Sequence, residues 1–187
     1  MDTLLSLLVG FGLAAACGFR VFVPLLVASL AARGGHLQIG PGFEWLSSDL
    51  ALVAFGVATL FEIAGYYIPW VDNLLDAVAT PTAIVAGVLV SASTLVLDLN
   101  PFLHWTLAVL AGGGTAATFQ GVTATIRQIS TFTTGGLGNP VVATAEAGGS
   151  LLLAVLAVTL PILAALVVVA LLWLGVRKLV FRRPARA

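Results

Sequence analysis

The chain has 187 residues, of which 60% are hydrophobic and only 9% charged, and its formal net charge is zero. Soluble domains carry about 25% charged residues, so a water-soluble enzyme is excluded, as are a disordered chain and a nucleic-acid binder with a basic face. What remains is an all-α polytopic transmembrane helical bundle, a single transmembrane domain over residues 1–187.

The N-terminus, Met1-Asp2-Thr3, lacks the positive region of a cleaved signal, and the apolar run behind it is too long for one. It reads as a mature membrane segment. A bilayer core about 30 Å thick takes about 20 helical residues, and five apolar runs qualify as spans. The first is Leu4 to Ala32, interrupted by Arg20 and Pro24. As one straight helix it would be about 43 Å long, so it must tilt, protrude or break, and Gly18 to Pro24 is the expected place; a hairpin within this run or the fourth would change the span count. Cys17, the single cysteine, has no disulfide or metal partner and reads as packing.

Arg20 lies midway along this run, where a buried guanidinium costs several kcal/mol, about 3 on insertion scales, unless paired or hydrated. Pro24 leaves the Arg20 carbonyl without its helical donor. The opened backbone beside a cation can receive an anion or a partner carboxylate. The alternative is an Arg that snorkels or ties two helices together.

The second run is Leu50 to Ile68 and holds one acid, Glu62, too deep to reach water easily. An intramembrane acid is a functional-site candidate by default; paired with Arg20 it would instead be a fixed bridge. Asp72, Asp76 and Thr80 follow at four-residue spacing, with Pro81 after them. They share a helix face and predict a short amphipathic interfacial helix, either the lining of a vestibule or simply its wet side. The third run, Thr82 to Leu97, is short and ends in the Asp98–Asn100-Pro101 turn.

The fourth run starts near Phe102 and fades toward Thr134, with a second possible break at Gly112-Gly113-Gly114. Gln120, Thr123, Arg127, Ser130 and Thr134 recur at helical spacing on one polar stripe. Lipid does not tolerate such a stripe, so it faces protein or water, as a pathway lining with Arg127 as its fixed charge or as an interhelical hydrogen-bond seam. A small-residue loop with Asn139-Pro140 comes next, then Val141 to Glu146, either a re-entrant or interfacial helix or a compact connector. The fifth run is Leu151 to Val176, with Pro161 inside it. Trp45, Tyr66, Tyr67, Trp70, Phe102, Trp105 and Trp173 punctuate the span ends as an aromatic belt would. His36 and His104 lack partners at ligand spacing, so no metal is expected.

Five of the eight basic residues, Arg177, Lys178, Arg182, Arg183 and Arg186, close the chain. The positive-inside rule then puts the C-terminus in the cytoplasm. Five spans put the N-terminus outside, Arg33 inside, and Asp72 and Asp76 outside.

Shifting the chain by 101 residues aligns Gly12 with Gly113, Ala15-Ala16 with Ala116-Ala117, Gly34-Gly35 with Gly135-Gly136, and Leu50 with Leu151. This predicts a duplication: a first half over 1–76, a connecting span over 77–101, a second half over 102–176 and a basic cytoplasmic tail over 177–187. An offset of three spans makes the repeat inverted, with broken or long first and fourth helices. Accidental symmetry in Ala- and Gly-rich helices is the alternative. Inverted repeats are common in transporters, which bind substrate at the repeat interface.

Four patches resemble a bacterial integral-membrane family, domain of unknown function 4126. They are Gly18-Phe19-Arg20 with Phe22 and Pro24; Glu62 with Ile68-Pro69; Asp72, Leu74-Leu75-Asp76 and Thr80-Pro81, then Ala86-Gly87; and Gly135-Gly136 with Asn139-Pro140 and Ala145-Glu146. The resemblance implies a helical membrane protein of no established activity. Tyr66-Tyr67 stands where the family often has Asp-Lys, an Arg after Thr-Pro is absent, and Ala147 replaces an acid.

No catalytic motif is present, so the expectation is not an enzyme and no cofactor. The expected function is a small transporter or channel of the bacterial inner membrane for an ion or small solute. Its path candidates are Arg20, Glu62, Asp72, Asp76, Gln120, Thr123, Arg127, Asn139 and Glu146. Membrane lipids and further copies of the chain are the expected partners, and nucleic acid is not. The alternative is a non-transporting scaffold or lipid-binding assembly partner.

Overall fold

The computed structural model describes residues 3–96 and 99–180; Asp98 and the tail arginines Arg182, Arg183 and Arg186 lie outside the described residues. Those described are all-helical: α1 (Thr3–Cys17), α2 (Phe22–Arg33), α3 (Asp49–Gly65), α4 (Pro69–Thr94), α5 (Pro101–Leu107), α6 (Gly114–Thr134), α7 (Asn139–Thr159) and α8 (Pro161–Val180). A π-helical turn, Ala108–Gly113, joins α5 to α6 as one continuous rod.

Proline and small polar residues explain where these helices start. Pro69, Pro101, Pro140 and Pro161 each stand in a first helical turn, where a missing N–H costs nothing and φ is already set. Asn100 caps the helix after it by accepting the Leu103 N–H at 2.9 Å, and Ser48 accepts the Ala51 N–H at 3.1 Å. Pro24 has the same role. It sits in the first turn of α2 and starts a new helix, rather than opening one long helix at the Arg20 carbonyl.

The first apolar run is therefore a hairpin and not one span. Both limbs are short, and their connection, residues 18–21, lies inside the bundle. Gly18 makes the turn possible: a Cβ there would meet the Ala116 carbonyl oxygen at 2.7 Å and collide with Phe119.

The contacts order the bundle from end to end. Ser91 Oγ donates to the Gly10 carbonyl at 3.3 Å, and the Gly40 N–H donates to the Ser93 carbonyl at 2.7 Å. Arg33 pairs with Asp49, and the Phe43 and Trp105 rings meet at 6.1 Å. The start of α1, the 34–48 segment, the end of α4 and the start of α5 thus share one end. Deeper in, Ser150 Oγ donates to the Ala16 carbonyl at 2.9 Å and Thr123 Oγ1 to the Gly18 carbonyl at 3.3 Å. The α3–α4 and α6–α7 turns lie at the opposite end.

The fifth run also folds back. Leu160, at φ −135° and ψ 67°, is the single residue between α7 and α8. Gly149, Leu152 and Leu156 of α7 then share a groove with Val167 and Leu171 of α8. Counting the α5–α6 rod once, the described chain passes along the bundle seven times, not five.

Three further expectations change with this count. Arg33 is at the end where α1 begins, away from Arg177 in the last turns of α8, whereas Asp72 and Asp76 are at the Arg177 end. Asp72, Asp76 and Thr80 are not on a separate interfacial helix, because α4 runs unbroken from Pro69 through Pro81 to Thr94. The boundary set at 76/77 falls inside that helix, and Val141–Glu146 is likewise the start of the long α7.

The proposed repeat register does not relate inverted segments. Gly10 and Gly112 both lie against Ser91, and Gly18 lies against Phe119. Residues 10–18 therefore run beside 111–119 in the same direction, where an inverted repeat would make them antiparallel. Ala- and Gly-rich helices that pack closely match each other in composition for that reason alone. At Gly112-Gly113-Gly114 the rod does not break. The π-turn brings Gly112 onto the Gly87 carbonyl and the Ser91 side chain, an approach that a Cβ would block.

The core is a cluster of small and branched side chains, among them Val9, Leu13, Ala16, Val90, Ala116 and Ala157. Large apolar side chains cover the outside: Phe61, Phe102, Phe132, Leu137 and Leu152 are all exposed.

Candidate functional site

Near the α3–α4 end, five segments bring their polar residues to one place. They are the α1–α2 turn, the last turns of α3, the first turns of α4, the middle of α6 and the start of α7. Arg20, Glu62, Tyr66, Asp72, Arg127, Asn139 and Glu146 are all buried there, and Asp76 is half-buried.

Arg127, on the α6 stripe, is the hub. Its Nε donates to both Glu146 oxygens at 3.1 Å, and its Nη2 also pairs with Glu146 Oε2. Its Nη1 donates to Asp72 Oδ1 at 2.7 Å and stands 3.5 Å from Asp76 Oδ1. Asn139 Nδ2 holds the other Asp72 oxygen at 3.2 Å and Thr131 Oγ1 at 3.1 Å. Arg127 thus ties α4, α6 and α7 together, with the bidentate geometry that a guanidinium fork provides.

Arg20 reaches the same cluster from the hairpin turn. Its Nη2 donates to the Ala143 carbonyl at 2.9 Å and pairs with Glu146 Oε2 at 3.1 Å. Its Nε and Nη1 are buried without a hydrogen-bond partner. The Tyr66 ring lies against both cations, 3.7 Å from the Arg20 guanidinium carbon and 4.0 Å from that of Arg127. An aromatic face offset against a cation contributes about 0.5–2 kcal/mol, which helps two like charges share the space.

Glu62 acts differently. Its Oε1 accepts the Val21 N–H at 2.7 Å and its Oε2 accepts the Phe22 N–H at 3.0 Å. A carboxylate from α3 thereby caps the start of α2 from outside the helix, satisfying donors that a buried helix end would otherwise leave open. No Arg20–Glu62 ion pair forms among the described residues.

The stripe read on α6 is buried at Gln120, Thr123, Arg127 and Ser130, and Thr134 is exposed. Gln120 and Thr123 face the hairpin turn, so the stripe meets protein along most of its length. Asp72 is not on a wet face, because it is buried against Arg127, while Asp76 is half-buried beside the same guanidinium and Thr80 is exposed. Tyr66 was missed by sequence reasoning, which placed it in an aromatic belt. The available signal was its spacing, one turn after Glu62 on the same helix face.

Residues 7–180 match the family described as Domain of unknown function (DUF4126). The chain belongs to that family. No curated protein and no solved structure matches it. Residues from each of the four patches by which it resembles the domain of unknown function 4126 family meet in the cluster, whereas Ala86-Gly87 lies further along α4 against Gly112 and Ala116. Gly18-Phe19-Arg20 forms the hairpin turn, Glu62 caps α2, Asp72 and Asp76 reach Arg127, and Asn139 and Glu146 close the network. Four carboxylates therefore stand with two guanidiniums in one cluster.

Proposed function

We propose that the chain is a small multi-pass transporter or channel of the cytoplasmic membrane, with this cluster on its path. Two helical segments, Leu74–Thr94 and Asn139–Thr159, are long and apolar enough to cross a bilayer. The other passes pack against them behind an apolar outer surface, and the basic tail favours a cytoplasmic C-terminus.

The single observation that carries the reading is the α1–α2 turn. It is a helix break inside the bundle that holds a buried cation, Arg20, beside buried acids. Broken helices with ionisable groups at depth are how transporters build solute sites, and charges there are expensive unless they have a use. The excess of carboxylates over guanidiniums favours protons or cations as the species handled.

A specific feature favours the alternative of a non-transporting scaffold: every nitrogen of Arg127 is committed to a carboxylate. The two readings differ in flux. Reconstituted into liposomes and screened with protons, monovalent cations and small anions, the wild type is expected to move one class above the level of empty vesicles. Arg20→Gln is expected to return that flux to the empty-vesicle level. Silence toward all three classes from correctly folded protein supports the scaffold.

A further inference from the structure

Glu62 is the acid of the cluster without a guanidinium in ion-pair range among the described residues, and it also lines a groove that opens on the outer face of the bundle. A lateral groove of about 370 Å³ opens between α3 and α4, over the start of α2. Its walls are apolar, including Phe22, Phe61, Val71, Leu75 and Val78, and Glu62 and Tyr66 also line it. Thr82, which borders it too, turns its hydroxyl to the Val78 carbonyl at 2.6 Å. Both Glu62 oxygens accept backbone N–H groups. A helix N-terminus offsets only about half a charge, and the neighbouring guanidiniums make their ion pairs with Glu146, Asp72 and Asp76. An apolar groove whose lining holds a carboxylate in no ion pair among the described residues matches one ligand chemistry.

We infer that this groove binds a lipophilic organic monocation, its apolar body between α3 and α4 and its charge at Glu62. Among the described residues no group of three or more His, Cys, Asp or Glu is placed to hold a metal ion, and a small hydrated ion would gain nothing from the apolar walls. The inference rests on the membrane-embedded transport reading and adds the substrate class. Binding in detergent requires no flux, so the failure of either is visible without the other.

The test is equilibrium binding of tetraphenylphosphonium to the purified full chain, with tetraphenylborate as a probe of matching shape and opposite charge. Wild type is expected to bind the cation saturably and to bind the anion no better than empty micelles do. Glu62→Gln is expected to weaken cation binding by about tenfold or more, as when one charge of a desolvated pair is removed. Val78→Trp fills the groove from α4 without touching the ion-pair network, and it is expected to abolish binding while the helical content is unchanged. If Glu62→Gln does not fold, Val78→Trp and the two probes decide alone. No saturable cation binding, equal binding of both probes, or cation binding that survives in the folded variants overturns the inference; equal binding of both probes would mean that the groove holds a lipid chain.

Discussion

Arg127→Gln is expected to destabilise the purified protein more than any other single substitution in the cluster, by about 3–5 kcal/mol, because it strands Asp72 as a buried, unpaired charge and leaves Glu146 with Arg20 as its one cation. Both carboxylates are nearly inaccessible to solvent, at 6% relative side-chain exposure each, so water cannot replace the guanidinium. Arg127→Lys keeps the charge but loses the fork that reaches α4 and α7 together, and it should fall between wild type and Gln. Adding Asp72→Asn to Arg127→Gln removes one stranded charge and should recover part of the loss, with a coupling of about 0.5–3 kcal/mol. Thermal unfolding in detergent of these four proteins and of Asp72→Asn alone measures both the losses and the coupling. A loss for Arg127→Gln of only the ~0–1 kcal/mol typical of exposed pairs would mean that water enters the cluster freely.

Glu62→Ala should loosen the hairpin turn locally. Two backbone donors at the start of α2 lose their acceptor, and each unsatisfied buried group costs about 1–3 kcal/mol. Cys17 is fully buried and immediately precedes the turn, so its alkylation reports the opening. If opening precedes labelling, a destabilisation of this size raises the labelling rate by about 10- to 100-fold. Glu62→Gln retains one acceptor oxygen and should raise it less. Unchanged Cys17 labelling in Glu62→Ala would show that the cap contributes nothing to holding the turn.

The residues of the cluster were legible in sequence because ionisable groups are rare in this chain and each has to be satisfied. The α6 stripe was legible from its helical spacing, and the break after Gly18 from glycine and proline placed inside an apolar run. Which charge meets which was not. Arg20 and Glu62 invite pairing when read in isolation, yet Arg20 reaches Glu146 across 126 positions of sequence while Glu62 turns to backbone donors. Asp72 has the amphipathic spacing of an exposed face, and it is buried beside Arg127 of α6 while Asp76 is half-buried and Thr80 exposed. The first hairpin was open to sequence as one outcome of the break at Gly18 to Pro24, whereas the fold-back of the fifth run was hidden: its connection is the single apolar residue Leu160, so no polar loop interrupts the hydropathy. The aligned halves reflect small residues chosen for close packing between neighbouring helices, as at Gly112 against Gly87.

The seven-pass path is what places the cluster at the Arg177 end of the bundle, and with the C-terminus on a fixed side it reverses the sidedness of four loops relative to five spans. In a Cys17→Ala background, His36→Cys in the segment after α2 and Leu137→Cys in the turn before α7 report on those loops; both positions are exposed. Labelling intact cells with a membrane-impermeant thiol reagent should modify His36→Cys from outside, and Leu137→Cys only after the membrane is opened. With the C-terminus located in the cytoplasm by a reporter fused to it, the reverse pattern, Leu137→Cys outside and His36→Cys inside, is what five single spans require and would contradict the hairpins; so would modification of both from the same side.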